Sequence, residues 1–206
     1  MKKSKSSRRW LDRHVNDEFV KRAQKDGYRS RAVYKLLEMQ GKARLMKPGQ
    51  IIIDLGAAPG GWSQVAEKIV GDKGQVIALD ILPMDAITGV EFIQGDFRDD
   101  EPLAQLRTLL SGRQVDLVIS DMAPNITGTA VVDRPRAMYL CELALAFARE
   151  SLCPGGGFVV KVFHGEGFEE YVRELRGSFK RVVTRKPKAS RPKSLEVYLV
   201  AGNYNM

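Results

Sequence analysis

Apolar residues in this chain follow two alternating patterns. Short, β-branched runs recur at 50–56 (QIIIDLG), 75–80 (QVIALD), within 90–97 (VEFIQGDF), at 115–121 (VDLVISD) and at 156–163 (GGFVVKVF). Each reads as a strand buried on both faces. Segments near 62–70, 100–111, 134–151 and 167–178 lie between or after them, and these read as helices. The 134–151 segment is the longest and carries Met138, Leu140, Leu143, Leu145 and Phe147. Two further strands are predicted around RVVTRK (181–186) and SLEVYLVA (194–201). Upstream, Ser30 is placed to cap a helix whose apolar positions Val33, Leu36 and Leu37 share one face, with Gly41 ending it. On that reading Arg31 and Lys35 lie on the opposite face, away from the apolar stripe. The βαβα alternation predicts an α/β fold with a parallel, doubly wound sheet and helices on both faces. Right-handed crossovers then bring the C-terminal ends of the parallel strands to one edge, where such sheets bind ligands.

Composition narrows the class. The 206 residues are 44% hydrophobic and 28% charged, which excludes a wholly disordered or fibrous chain and suits a single domain over 1–206. Only the basic stretch at about 1–10 is too polar to bury apolar surface, and it is expected to stay unfolded until bound. No apolar run approaches the roughly 18 residues of a membrane span, and no apolar core follows the basic N-terminus as in a signal peptide. Cys141 and Cys153 are too few for a disulfide framework or a zinc site, so a cytoplasmic setting is the expectation. His14 and His164 form no cluster, and no metal is expected. The net charge of +8 is distributed unevenly: residues 1–44 carry +9, residues 45–180 carry −6 and residues 181–206 carry +5. Basic ends flanking an acidic middle point to a polyanionic partner, with nucleic acid ahead of an anionic membrane surface. The plainer alternative is that these ends serve solubility alone.

The chemistry sits at the predicted strand ends. The first strand runs into Asp54-Leu55-Gly56-Ala57-Ala58-Pro59-Gly60-Gly61-Trp62, a glycine-rich turn that lets a nucleotide-like ligand approach the backbone. It is not a dinucleotide fingerprint, because Pro59 removes an N–H that a pyrophosphate cradle would use. The second strand ends in Asp80, 24 residues after Gly56, where a carboxylate can accept both hydroxyls of a ribose. The third ends near Asp96, an acceptor suited to an exocyclic amine, with Phe97 or a neighbouring apolar residue against the ring. Taken singly, each Asp is as well explained as a turn or helix cap. Taken in register after the glycine turn, they predict an adenosine pocket. The fourth strand ends in Asp121. Lys161 lies inside the fifth, where desolvation disfavours an ammonium group. Glu196 repeats that anomaly in the last strand, unless it faces outward from an edge.

These residues, in this order and spacing (DLGAAPGGW, ALD, GDF, SDMAPN, VVKVF and KPKASRPKSLEVYLVA), resemble the FtsJ-type ribosomal RNA methyltransferases. The similarity spans nearly the whole chain. It implies a Rossmann-like methyltransferase fold: a seven-stranded, mostly parallel sheet with its last strand antiparallel. It implies S-adenosylmethionine as methyl donor and a uridine ribose 2′-hydroxyl of large-subunit ribosomal RNA as acceptor, in an assembled subunit rather than naked RNA. It also implies a catalytic tetrad of Lys35, Asp121, Lys161 and Glu196. The implied cofactor contacts are Gly60, Trp62, Asp80, Asp96 and Asp121. A monomer without membrane association or an obligate protein partner is expected.

Methyl transfer to a ribose hydroxyl needs in-line alignment and a base. Lys161 is the candidate base. Burial, a nearby sulfonium and Lys35 favour its neutral amine, whereas Asp121 favours the ammonium. In one division of labour Asp121 orients Lys161, Lys35 contacts the target ribose or phosphate, and Glu196 positions Lys35 or the hydroxyl. Arg8, Arg9, Lys21, Arg22, Arg29 and Arg31 are expected to line one side of an RNA path, and Arg185, Lys186, Lys188, Arg191 and Lys193 the other. Tyr28 or Tyr34 is placed either to stack on a base or to fill the core. Three other functions compete. A nicotinamide oxidoreductase conflicts with Pro59 in the turn. A non-catalytic RNA-binding protein leaves Lys161 unexplained. A methyltransferase for transfer RNA or a messenger cap shares most of the motifs.

Overall fold

The computed structural model describes residues 17–125 and 127–205; the basic segment at 1–10, with Arg8 and Arg9, and His14 lie outside them. In chain order the elements are α1 (Glu18–Lys25), α2 (Val33–Ala43), β1 (Ile51–Leu55), α3 (Gly61–Val70), a short 3-10 turn (Gly71–Lys73), β2 (Gln75–Asp80), β3 (Val90–Gln94), α4 (Asp100–Leu110), β4 (Val115–Ser120), α5 (Ala130–Ser151), β5 (Leu152–Phe163), α6 (Phe168–Ser178), β6 (Phe179–Arg185) and β7 (Glu196–Tyr204). The seven strands form one sheet in the order β3-β2-β1-β4-β5-β7-β6. Neighbours from β3 to β5 pair in parallel, and β7 is antiparallel to both β5 and β6. This is the Rossmann-like arrangement the family resemblance implies, and its parallel half is the doubly wound sheet read from the βαβα alternation.

Each sheet face has its own core. Helices α4, α5 and α6 cover one, packing residues such as Leu106, Leu145 and Tyr171 on Ile53, Val118, Val160 and Leu199. Helices α1, α2 and α3 cover the other, packing Ala23, Leu36, Met39 and Val65 on Ile52, Ile119, Val159 and Val200. Because side chains alternate with period two, adjacent residues of one strand feed opposite cores. That is why these strands read as continuous apolar runs.

The local structure departs from the sequence expectation in several places. Helix α2 has Ala32, not Ser30, at its N-cap, and runs past Gly41 to end at a left-handed Arg44 (φ 50°). Strand β5 begins four residues early, at Leu152. Helix α5 also starts earlier, at Ala130, and takes Pro135 into its N-terminal half. Strand β7 lies between β5 and β6, so Glu196 is not on an edge.

Candidate active site

Strand order reverses between β1 and β4: the chain proceeds outward through β2 and β3, then returns to lay β4 and β5 on the other side of β1. A crevice opens at such a reversal, beyond the C-terminal ends of the strands. Strand register places the polar anomalies beside it. Leu55 pairs with Ser120, Ser120 with Val160, and Lys161 with Tyr198. The row Gly56, Asp121, Lys161 and Tyr198 therefore lies one step beyond the last β1–β4 and β4–β5 pairs, on the face that α2 and α3 cover. It continues the apolar row Ile119, Val159 and Val200 of that core. Gly56 is left-handed (φ 76°), and a Cβ there would lie 2.8–2.9 Å from Met122 atoms, so this position requires glycine.

Four of the five polar groups brought together here were expected from the sequence. Lys161, whose side chain is only 8% exposed, has its Nζ 3.1 Å from Asp121 Oδ1 and donates to the Asp121 backbone carbonyl at 2.5 Å. Lys35 Nζ is 2.7 Å from Glu196 Oε1. The fifth, Tyr198, joins the two pairs: Lys35 Nζ contacts the Tyr198 hydroxyl at 2.9 Å, and that hydroxyl donates to Asp121 Oδ1 at 2.7 Å. The result is a polar chain from Glu196 through Lys35, Tyr198 and Asp121 to Lys161. Ser190 extends it, its hydroxyl donating to Glu196 at 2.8 Å. Lys35 thus turns inward, contrary to the helical-face expectation, because an acidic residue of β7 lies within reach. Burial works to raise the Asp121 carboxyl, but Lys161 and then Lys35 outweigh it and hold the group below the ordinary carboxylate range. Burial, followed by the Asp121 charge, pushes the Tyr198 phenol well above its ordinary value, so it remains a protonated bridge.

On the other side of the crevice the glycine loop is held by Asp80, whose Oδ2 accepts the Ala58 N–H (2.9 Å) and whose Oδ1 accepts the Leu82 N–H (2.8 Å). Each oxygen retains a lone pair. Gly60 caps α3 in a left-handed conformation (φ 104°), and a Cβ there would meet Ile87 at 2.7 Å and Met84 at 2.8 Å. The Trp62 side chain is buried; its ring N–H donates to the Ala32 carbonyl and its ring packs on Tyr198. Its backbone N–H, in the first turn of α3, is what Trp62 can offer a ligand. Asp96 is engaged by Arg98 through both oxygens, at 2.5–3.1 Å. Phe97 is buried edge-to-face on Phe147 and is not available to a ligand ring. Ile81 and Leu82, 50% and 58% exposed just after Asp80, supply apolar surface instead.

Below the site lies a residue the sequence reading named only as part of the loop. Asp54 is fully buried; one oxygen accepts the Ser63 hydroxyl at 2.6 Å, and the other has no partner. Burial, reinforced by the Asp121 and Asp80 carboxylates and opposed by Ser63, pushes its carboxyl up to about 7.

The comparisons bear on this constellation. The sequence profile of the FtsJ-like methyltransferases matches residues 28–204, which include every residue of the polar chain. The chain belongs to this family. Proteins named ribosomal RNA large subunit methyltransferase E from Marinobacter nauticus and Stutzerimonas stutzeri are similar to it throughout. The first is 61% identical over 206 residues (100% of both chains), and the second is 59% identical over 204 residues (99% of both). Among solved structures, one described as a ribosomal RNA methyltransferase from Plasmodium falciparum superposes with a TM-score of 0.78 at 34% identity. It covers 86% of this chain and 98% of the other.

The basic residues divide differently from the expectation. Segment 187–190 packs against α2, where Glu38 accepts the Lys188 N–H and Arg31 donates to the Ala189 carbonyl. Lys186, Lys188, Arg191 and Lys193 stay exposed there, as do Lys21 and Arg22 on α1. Arg31, however, is consumed by Asp17 and Ala189, and Arg29 by backbone carbonyls, so neither offers its guanidinium to phosphate. Tyr34 is core, donating to Asp26. Tyr198 could have been found from strand alternation alone, since it lies two residues beyond Glu196.

Proposed function

We infer that this member of the FtsJ-like family transfers a methyl group from S-adenosylmethionine to a uridine ribose 2′-hydroxyl of 23S ribosomal RNA, in the large ribosomal subunit. The relatives of matching length bear ribosomal RNA methyltransferase names. The observation that carries the reading is the polar chain ending on Lys161 beside the point where strand order reverses between β1 and β4.

The crevice residues fit the donor. The free lone pairs of Asp80 suit a ribose diol, Ile81 and Leu82 suit an adenine face, and the N–H groups opening α3 suit a carboxylate. Gly60 keeps the loop surface free of a side chain. Asp121 suits an ammonium group, and Asp96 can accept an exocyclic amine once Arg98 yields one contact. When bound, the donor supplies a methyl group already activated by its sulfonium.

The chain's own residues must then deprotonate and align a hydroxyl. The Lys161 ammonium that pairs with Asp121 must first give a proton to solvent, which leaves an amine with two N–H bonds and one lone pair. The two acceptors around Lys161 Nζ, Oδ1 and the carbonyl oxygen of Asp121, account for both N–H bonds. The lone pair remains for the substrate, so Nζ takes the proton of the 2′-hydroxyl as its oxygen becomes the nucleophile. Asp121 orients Nζ, and Tyr198 and Lys35 hold Asp121. Glu196 fixes Lys35, whose role is the contact to the target ribose or phosphate. Exposed Lys186, Lys188, Arg191 and Lys193 bind phosphate and set salt sensitivity rather than sequence choice.

Lys161→Met tests the assignment, because it keeps the aliphatic stem and removes the amine. Methyl transfer to large ribosomal subunits, followed with tritiated donor, should fall by about 10²–10⁴, the usual contribution of a positioned base. Donor affinity should change little. Substantial turnover by the variant removes Lys161 from that role. Mapping ribose methylation in cells lacking the protein identifies the target as the one mark that disappears and returns with the wild type.

A further inference from the structure

We propose that Arg29 is a positioning residue for the donor crevice: its guanidinium clamps the loop after β2 onto the glycine loop, and so ties the crevice wall to the segment between α1 and α2. The inference rests on the donor reading above. Arg29 Nη1 donates to the Asp85 carbonyl at 2.6 Å and to the Pro59 carbonyl at 3.3 Å, and Nη2 donates to the Ala86 carbonyl at 2.8 Å. One planar fork therefore spans two loops that lie far apart in sequence.

The clamped loop, residues 81–89, forms one wall of the crevice. It starts at the Asp80 carboxylate, which holds the Leu82 N–H, and brings Met84 and Ile87 over Gly60. A Cβ on Gly60 would also lie 3.1 Å from Arg29 Nη1, so the guanidinium itself borders that position. Among the described residues, Arg29 makes the only side-chain hydrogen bonds to residues 83–89, whose one other bond from outside the loop in the hydrogen-bonded turns is the Val90 N–H to the Ile87 carbonyl at 3.0 Å. Its own backbone is fastened in turn: the Arg29 N–H donates to Gln64 Oε1 on α3 at 3.0 Å, and Gln64 Nε2 donates to the Gly27 carbonyl at 3.3 Å. Lysine cannot reproduce this geometry, because its single nitrogen lacks the spaced donors of a guanidinium.

The competing assignment is the one made from sequence, a phosphate contact, and the two assignments differ in what they perturb. For Arg29→Lys and Arg29→Met in the full chain, Kd for S-adenosylmethionine by calorimetry and KM for it should rise about tenfold or more. At saturating donor, kcat should stay within about threefold of wild type. Hydrogen exchange at the amides of residues 84–89 should quicken in the donor-free variants and slow again when donor saturates. The salt dependence of binding to large ribosomal subunits should keep its slope, whereas loss of a phosphate contact lowers it by about one. Unchanged donor affinity in folded variants, or a reduced salt slope with normal donor affinity, overturns the proposal. A loss of kcat that saturating donor does not restore also overturns it. If Arg29→Met does not fold, Arg29→Lys alone carries the test. Wild-type protein that fails to bind S-adenosylmethionine in the same calorimeter refutes the donor reading rather than the clamp.

Discussion

Replacing Asp54 by asparagine should change how stability depends on pH, and the buried site sets the size of the effect. The Asp54 side chain has no solvent exposure, one oxygen accepts from Ser63, and the other lacks a partner. Its carboxyl moves from 3.8 in the free state to about 7 in the fold. A carboxyl raised on folding favours the native state fully below its unfolded value and loses that contribution as pH climbs through the folded value. Between roughly pH 4 and 7 the native state therefore loses about 1.4 kcal/mol per pH unit, and about 4 kcal/mol in all, as an upper estimate. Asparagine does not titrate, so Asp54→Asn removes this slope. The amide brings two N–H donors where the protonated carboxyl brings one O–H, a pH-independent cost of about 1–3 kcal/mol. Wild type should thus be the more stable protein at pH 5, and the gap should close or reverse by pH 8, a change of roughly 3 kcal/mol. Urea unfolding of both proteins at pH 5, 6, 7 and 8 measures it, since groups common to both cancel in the difference. Asp121 does not intrude: its lowered carboxyl stabilises the fold at neutral pH and loses that contribution only on acidification below the usual carboxylate range, outside this window. Parallel stability profiles would refute the argument that burial holds Asp54 protonated.

Two further substitutions probe the crevice. Asp80→Ala removes the acceptor of the Ala58 and Leu82 N–H groups as well as the expected ribose contact, so donor affinity by calorimetry should fall about 10–100-fold, equivalent to roughly 1.4–3 kcal/mol. Unchanged affinity would mean that the carboxylate serves only its turn. Tyr198→Phe keeps the ring packed on Trp62 and deletes the hydroxyl that joins Lys35 to Asp121. kcat should drop about tenfold with KM for the donor nearly constant, and the pH–rate profile should shift; an unaltered profile would show that the bridge does not reach the chemistry.

Local sequence was sufficient for much of this protein. Strands β1, β2, β4 and most of β5 are visible as β-branched runs because both faces of a central parallel strand are buried. The same burial makes Lys161 conspicuous, since a charge in such a run demands a reason. The glycine turn, Asp80 and Asp121 are legible because ligand sites in these sheets follow strand ends. What tertiary structure decided concerns side chains whose partners are remote in sequence. Lys35 sits on a helix where solvation is the default, yet the Glu196 carboxylate and the Tyr198 hydroxyl, both on β7, draw it inward. Arg29 and Arg31 look like phosphate ligands by composition, but backbone carbonyls and Asp17 claim them first. Phe97 follows a strand end like a ligand residue, but core packing takes it. Periodicity reports which face a residue occupies, whereas long arginine and lysine side chains choose partners by proximity in three dimensions, and only the folded chain supplies those neighbours.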